Sequence, residues 1–455
     1  MKKYYILIIL FISVVISVSA QFGEQQIIST EANSPRAIFA ADFDGDGDMD
    51  VLSSSEDEIV AWYKNLDGLG NFGAQQIIDA NMQGARGIYA TDLDGDGDID
   101  VIATAGSGDR VVWFRNTDGL GNFSSQNIIT SATDGPLAVY ATDIDNDGDM
   151  DILSASFMDN KIAWYENTDG LGAFGEQQII TTNALSARDV YAEDLDDDGD
   201  MDIIATSTAS DEVLWFENLD GLGAFGTEQV ITNNANGVLS VFAEDLDGDG
   251  DMDVLSAVFG DDIIAWYENT DGLGNFGTEN IMTSNALAAK VVFASDLDND
   301  GDIDVLSASE GDNKIAWYEN TDGLGTFSTA QLITNNVESN RGVYAADLDN
   351  DGDMDVLSVS SQDDKLAWYE NLTILGVDDN QSPKITFTPN PVTETLNIES
   401  NFGINKIQVY DLLGRLVLQE NNPTSQIDVS NLASGLLFVH IETNEGVFTK
   451  KIIKE

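Results

Sequence analysis

The run DFDGDGDMD at residues 42–50 places a carboxylate at every second position along most of its length. The chemistry that suits it is that of a hard cation held by oxygen. Positions one, three, five and nine supply the side chains of Asp42, Asp44, Asp46 and Asp50, and Asp48 at position seven offers its backbone carbonyl. Gly47 at position six permits the sharp turn that such a loop needs. Calcium takes about six to eight oxygen ligands, whereas magnesium keeps more of its water and redox metals prefer softer donors. Without a cation, five carboxylates in nine residues would repel one another strongly. Position twelve is Ser53, so no bidentate glutamate follows and Asp50 is expected to close the cage.

The same loop occurs seven times. The further copies carry Asp92, Asp94, Asp96, Asp98 and Asp100; Asp143, Asp145, Asp147, Asp149 and Asp151; Asp194, Asp196, Asp198, Asp200 and Asp202; Asp245, Asp247, Asp249, Asp251 and Asp253; Asp296, Asp298, Asp300, Asp302 and Asp304; and Asp347, Asp349, Asp351, Asp353 and Asp355. One calcium per loop gives an expected ceiling of seven.

All seven tryptophans keep the register of the loops: Trp62, Trp113, Trp164, Trp215, Trp266, Trp317 and Trp368. A period near fifty residues is that of a propeller blade. Each period reads as four short strands, for example AVYATDI, MDILSAS, KIAWYEN and FGEQQII in the third unit. The array begins at Phe22 with a fourth strand and ends at Asn371 after a third. The N-terminal strand is therefore expected to complete the blade begun by Val343, removing an open sheet edge. A bulky residue recurring in every blade is expected to be inter-blade core rather than a sugar-stacking platform.

Acidic residues outnumber basic ones 81 to 19, for a formal charge of -62, which repels nucleic-acid phosphates and excludes nucleic acid as an expected partner. The chain is too apolar for a solvated acidic tail, at 42% hydrophobic residues, so the charge must be organised around a packed core. Lys2 and Lys3, the apolar run from Tyr4 to Ile16 and then Val18, Ser19 and Ala20 read as a secretory signal peptide over residues 1–20. With no cysteine, an exported chain lacks disulfide staples, and metal is the obvious substitute.

These features predict an all-β chain: a seven-bladed β-propeller with calcium loops over residues 21–371, a linker over 372–383 and a small C-terminal β-sandwich over 384–455. The aspartate loop in blade context resembles the FG-GAP or VCBS repeat, also found in integrin α-subunit heads. That resemblance implies a calcium site between the first and second strands of each blade.

Alternating strand direction sends the aspartate loops and the DGLG turns to one face and the variable loops, such as TEANSPR and TNALSAR, to the other. Arg36, Arg86, Arg188, Lys290 and Arg341 each lie six residues before a first aspartate, and Arg110, Lys161, Lys314 and Lys365 each lie three before a tryptophan. All nine are expected on the face away from calcium, as a basic channel mouth for an anionic or hydroxyl-rich ligand. Pairing with neighbouring acids such as Asp189 or Glu338 is the competing expectation.

From Lys384 the calcium loops cease. TPNP, VYDLLGRLV, IDVSNLASGLLFVHI and the terminal KKIIK resemble the type A C-terminal sorting domain of the type IX (Por) secretion system of Bacteroidetes. The resemblance implies passage across the outer membrane and either release or surface attachment. The expected function is non-catalytic adhesion, or binding of polysaccharide or a surface protein, outside the cell. An extracellular polysaccharide lyase or hydrolase is the alternative, weakened by the absence of histidine from the array, since the only one is His440.

Overall fold

The computed structural model describes residues 21–373 and, beyond them, 385–388, 392–393, 395–400, 404–411, 415–421, 426–432, 435–443 and 446–454. The signal peptide and all but the first two residues of the linker read from sequence lie outside the described residues. Two compact units divide between Leu375 and Gly376, and each is described by itself.

The first unit is seven four-stranded antiparallel sheets. In the first blade the strands run Pro35–Ala41, Asp50–Ser55, Ile59–Tyr63 and Gln76–Asp79. Burial explains their composition. The second strand, DVLSSS, is buried at every position, because neighbouring blades cover both of its faces, and small serines let those blades approach. The outermost strand, QIID, is only partly covered. The core lies between blades: Leu153, Ile162 and Trp164 of one blade pack with Val190, Ile203 and Ala205 of the next.

The ring closes as the phase of the repeat requires. Gln26–Ser29 pairs antiparallel with Lys365–Tyr369, with Gln26 opposite Trp368, and extends the sheet that includes Asp355–Ser360 and Asn340–Ala346. Phe22 adds a bridge to Asn371.

The seven indoles are 3–6% exposed, which removes them as sugar platforms. Each of six blades sends the second glycine of its DGLG turn over the indole of the blade before it, as Gly223 does over Trp164. Gly223 has φ +79°, and a Cβ there would sit 2.2 Å from the indole Cζ2. Gly223→Ala combines left-handed backbone strain with overpacking, so it should lose about 2–5 kcal/mol, read as a lower urea midpoint at unchanged m-value.

The second unit holds a three-stranded sheet (Ile385–Thr388, Thr395–Ser400, Gln426–Asp428) and a four-stranded one (Leu416–Asn421, Ile404–Asp411, Gly435–Thr443, Gly446–Lys454). Leu396, Ile398 and Ile427 of the first meet Ile407, Val409 and Val439 of the second in one core, which makes a small sandwich. His440 lies on this unit's sheet with its ring 4.7 Å from that of Tyr410.

Candidate functional site

Each aspartate loop links the innermost strand of a blade to its second strand. The first aspartate shapes the turn: in all seven copies its Oδ2 accepts the amide of the position-six glycine at 2.9–3.1 Å, as Asp42 does from Gly47. That glycine has φ between +91° and +98° in every copy. Position four is also left-handed throughout, which accounts for its restriction to Gly45, Gly95, Asn146, Asp197, Gly248, Asn299 and Asn350.

The ninth aspartate is the most buried member. Asp50 accepts the Phe43 amide on one oxygen at 3.1 Å and the Asn65 amide on the other at 2.7 Å, and every blade repeats the pair. Burial pushes its carboxyl up to about 7 despite the two amide donors, and Asp202, Asp253 and Asp355 reach about 8 for the same reason. A buried carboxylate so placed is stabilised by a nearby cation.

The third position points to the same need. One carboxylate oxygen of each of Asp44, Asp145, Asp196, Asp247 and Asp349, and both of Asp94, are buried without any hydrogen-bond donor. Among the described residues, seven clusters of at least three carboxylates bring one oxygen each within 4.8 Å of the others, Asp42, Asp44 and Asp50 among them, so these clusters could hold a metal ion. An all-oxygen set with orphaned buried oxygens fits a hard divalent cation of the calcium kind. Positions one, three, five and nine would hold it through side chains and position seven through its carbonyl, and the ion would supply charge neutralisation.

The loops are also stitched to one another. A buried asparagine three residues after each tryptophan donates its Nδ2 to the carbonyl of loop position two in the preceding blade, at 2.7–2.9 Å. Asn65 thus reaches Leu348, and its own amide is held by Asp50. Loop geometry and inter-blade contact are therefore one network.

On the opposite side the innermost strands start at a cavity of about 370 Å³ lined by Arg36, Arg86, Arg188, Lys290 and Arg341. Two acids answer them. Glu56 pairs with Arg36 and, at 3.1 Å, with Arg86; Glu310 pairs with Arg341 at 2.8 Å and Lys290 at 3.3 Å. Arg188 has no ion-pair partner among the described residues; its guanidinium lies 4.9 Å from the Phe157 ring centroid. Burial first, then the neighbouring arginines, lowers Arg36 and Arg188, and burial with Arg341 pushes Lys290 down to about 8. Crowded, partly desolvated cations of this kind favour an anion.

Three residues before each first aspartate stands an aromatic: Phe39, Tyr89, Tyr140, Tyr191, Phe242, Phe293 and Tyr344. Each ring centroid lies 4.7–5.1 Å from the next, all the way round, so the seven form a closed collar about the channel. The collar escaped the sequence reading although its signal was plain, a Phe or Tyr at one register in every unit.

Arg110, Lys161, Lys314 and Lys365 are not brought to the cavity. They begin third strands, away from the innermost ones, and are engaged within their own blades: the lysines with Asp159, Asp312 and Asp363 at 2.6–2.8 Å, and Arg110 with Gln126 at 3.2 Å. Asp189, expected as a partner for a base, instead accepts the Val190 and Val241 amides, and burial pushes it up to about 6. Two basic residues overlooked in the sequence, Lys64 and Arg115, follow third strands and reach the aspartate loops, pairing with Asp44 and Asp46 and with Asp94 and Asp96.

Seven sheets around a channel, each with an aspartate loop after its innermost strand, define a repeat propeller. The sequence profile of the FG-GAP-like repeat matches residues 42–103, 92–154, 143–205, 194–256, 245–307 and 296–358, and the chain belongs to that family. Residues 386–455 match the secretion system C-terminal sorting domain, which marks the protein for export by the type IX system to the cell surface or extracellular space. The chain is 26% identical over 155 residues to an ulvan lyase, NLR42, of Nonlabens ulvanivorans; the match covers 32% of this chain and only 27% of that protein. Crystal structures of BBS1N in complex with ARL6DN, soaked with lead or mercury, superpose with TM-scores of 0.53 and 0.52 at 12% and 10% identity, covering 78% of this chain and 98% of theirs, a likeness of fold alone.

Proposed function

We propose that this exported protein is a calcium-stapled, non-catalytic binding module that takes an acidic polysaccharide at the basic mouth of its channel, in adhesion or capture outside the cell. The observation that carries the reading is the convergence of five cations from five blades on one cavity with only two acids pairing them. The aspartate loops, near-identical in every blade, serve the scaffold.

The test is binding of the mature chain to an array of acidic and neutral polysaccharides in calcium. Acidic chains should bind, with affinity falling as salt rises. Arg188→Glu should weaken them by roughly tenfold or more, whereas Lys365→Glu, away from the cavity, should leave them unchanged. Equal binding by wild type and Arg188→Glu would sink the channel-mouth site.

A second reading, a polysaccharide lyase, draws on the ulvan lyase similarity and on Lys290, lowered to about 8 beside Arg341. Ultraviolet absorbance from unsaturated sugar ends during incubation with acidic polysaccharide would favour it over the binding module.

A further inference from the structure

The seven loops are not equivalent, and the difference lies two residues after the tryptophan. Five blades carry glutamate there: Glu166, Glu217, Glu268, Glu319 and Glu370. The first two blades carry Lys64 and Arg115. The Lys64 ammonium contacts the Asp44 carboxylate and lies 2.8 Å from that of Asp46. Arg115 places Nε 2.7 Å from Asp94 and Nη2 2.7 Å from Asp96. These partners are loop positions three and five, the carboxylates a divalent ion would need.

We propose that only five loops, those beginning at Asp143, Asp194, Asp245, Asp296 and Asp347, bind calcium tightly, and that Lys64 and Arg115 act as built-in cations in the other two. The proposal rests on the reading that the loops take calcium. The ion pairs set the two groups of loops apart. Buried oxygens without a donor occur in both groups, on Asp44 and Asp94 as on Asp145, Asp196, Asp247 and Asp349, but where the residue is glutamate no basic side chain among the described residues pairs with positions three and five, so the need for a cation is unmet. Where it is basic, positions three and five already share a positive charge. Exchanging glutamate for lysine or arginine also changes the charge beside the ion by two units, and calcium affinity in oxygen cages is tuned by ligand charge count. The two self-neutralised loops are adjacent blades next to the closing blade, so one arc of the ring holds its shape without metal.

The experiment counts ions on the intact mature chain. Native mass spectrometry and calorimetric titration with calcium alone should show five ions retained at a free concentration where the first two loops stay empty, their affinities being roughly tenfold or more weaker. Lys64→Glu and Arg115→Glu should each raise the count by one, and Glu217→Lys should lower it by one. Lys64 and Arg115 are partly exposed, so these exchanges leave the core intact. Seven equivalent ions in the wild type, or counts that do not move in the variants, overturn the proposal. No bound ion in any form overturns the calcium reading beneath it as well.

Discussion

Chelating calcium from the mature chain is expected to lower its melting temperature by about 13–26 °C. A ligand that binds only the folded state contributes about 2.7 kcal/mol per site at a hundredfold excess over Kd. Five tight loops then contribute roughly 13 kcal/mol, and a domain of this size shifts by about 1–2 °C per kcal/mol, somewhat less than smaller domains do. The loss should be global, because each ninth aspartate fixes the amide of an asparagine whose side chain holds the neighbouring blade. Removing the ion leaves buried carboxylates such as Asp202 and Asp355 without the charge that offsets their burial. Fluorimetric melts with a calcium chelator, followed by re-addition of calcium or magnesium, make the measurement. Calcium should restore the transition and magnesium should do so poorly. A melt insensitive to chelation would remove calcium from any structural role.

Repetition made most of the architecture legible. Seven copies of one unit average away the ambiguity of any single short strand, so blade count, strand order and the phase of closure could be read from the spacing of Asp42, Trp62 and their counterparts. The loop glycine was legible because no other residue tolerates its φ without strain. What the sequence hid was radial position. Arg188 and Lys161 both begin strands on the face away from the aspartate loops, yet one starts an innermost strand at the channel and the other a third strand nearer the rim. Only the order of strands from the channel outward separates them. The collar of Phe39 to Tyr344 was hidden for the same reason: an aromatic at a fixed register reads as ordinary core until its strand is placed at the axis. Glu56 and Glu310, which temper the basic mouth, share one register in the turns between second and third strands, but the other five blades carry Gly106, Phe157, Thr208, Phe259 and Ser361 there, so the repeat does not mark the position as acidic. Lys64 and Arg115 were masked by the repeat itself, since attention to what is common to seven units passes over the position where two differ.

Deleting residues 21–29 should be the most damaging change to the propeller, costing at least about 5 kcal/mol and making the chain prone to aggregate. The segment supplies the fourth strand of the closing blade, so its loss exposes the edge of Lys365–Tyr369. It also withdraws Phe22 from its edge-on contact with Trp317, where the rings stand 6.3 Å apart. The bonds from Gly23 to the Glu370 carbonyl at 2.7 Å, from Gln25 to the Tyr369 hydroxyl at 2.7 Å and from Gln21 to the Leu297 carbonyl at 2.8 Å go with it. No interior blade depends on so distant a strand: the Gln25–Tyr369 bond joins residues 344 apart, against 12 for the equivalent bond between Gln177 and Tyr165. Loop-closure entropy makes such pairing the last to form, so the ring should assemble blade by blade and close only at the end. A synthetic peptide of residues 21–29 added during refolding should rescue the truncated chain, since the vacated edge is a template for strand addition. Size-exclusion chromatography and urea midpoints of the truncated chain, with and without the peptide, decide the matter. A truncated protein that elutes as the intact chain does, with an unshifted midpoint, would mean that the propeller is held by inter-blade packing and its loops alone, with closure contributing nothing to stability.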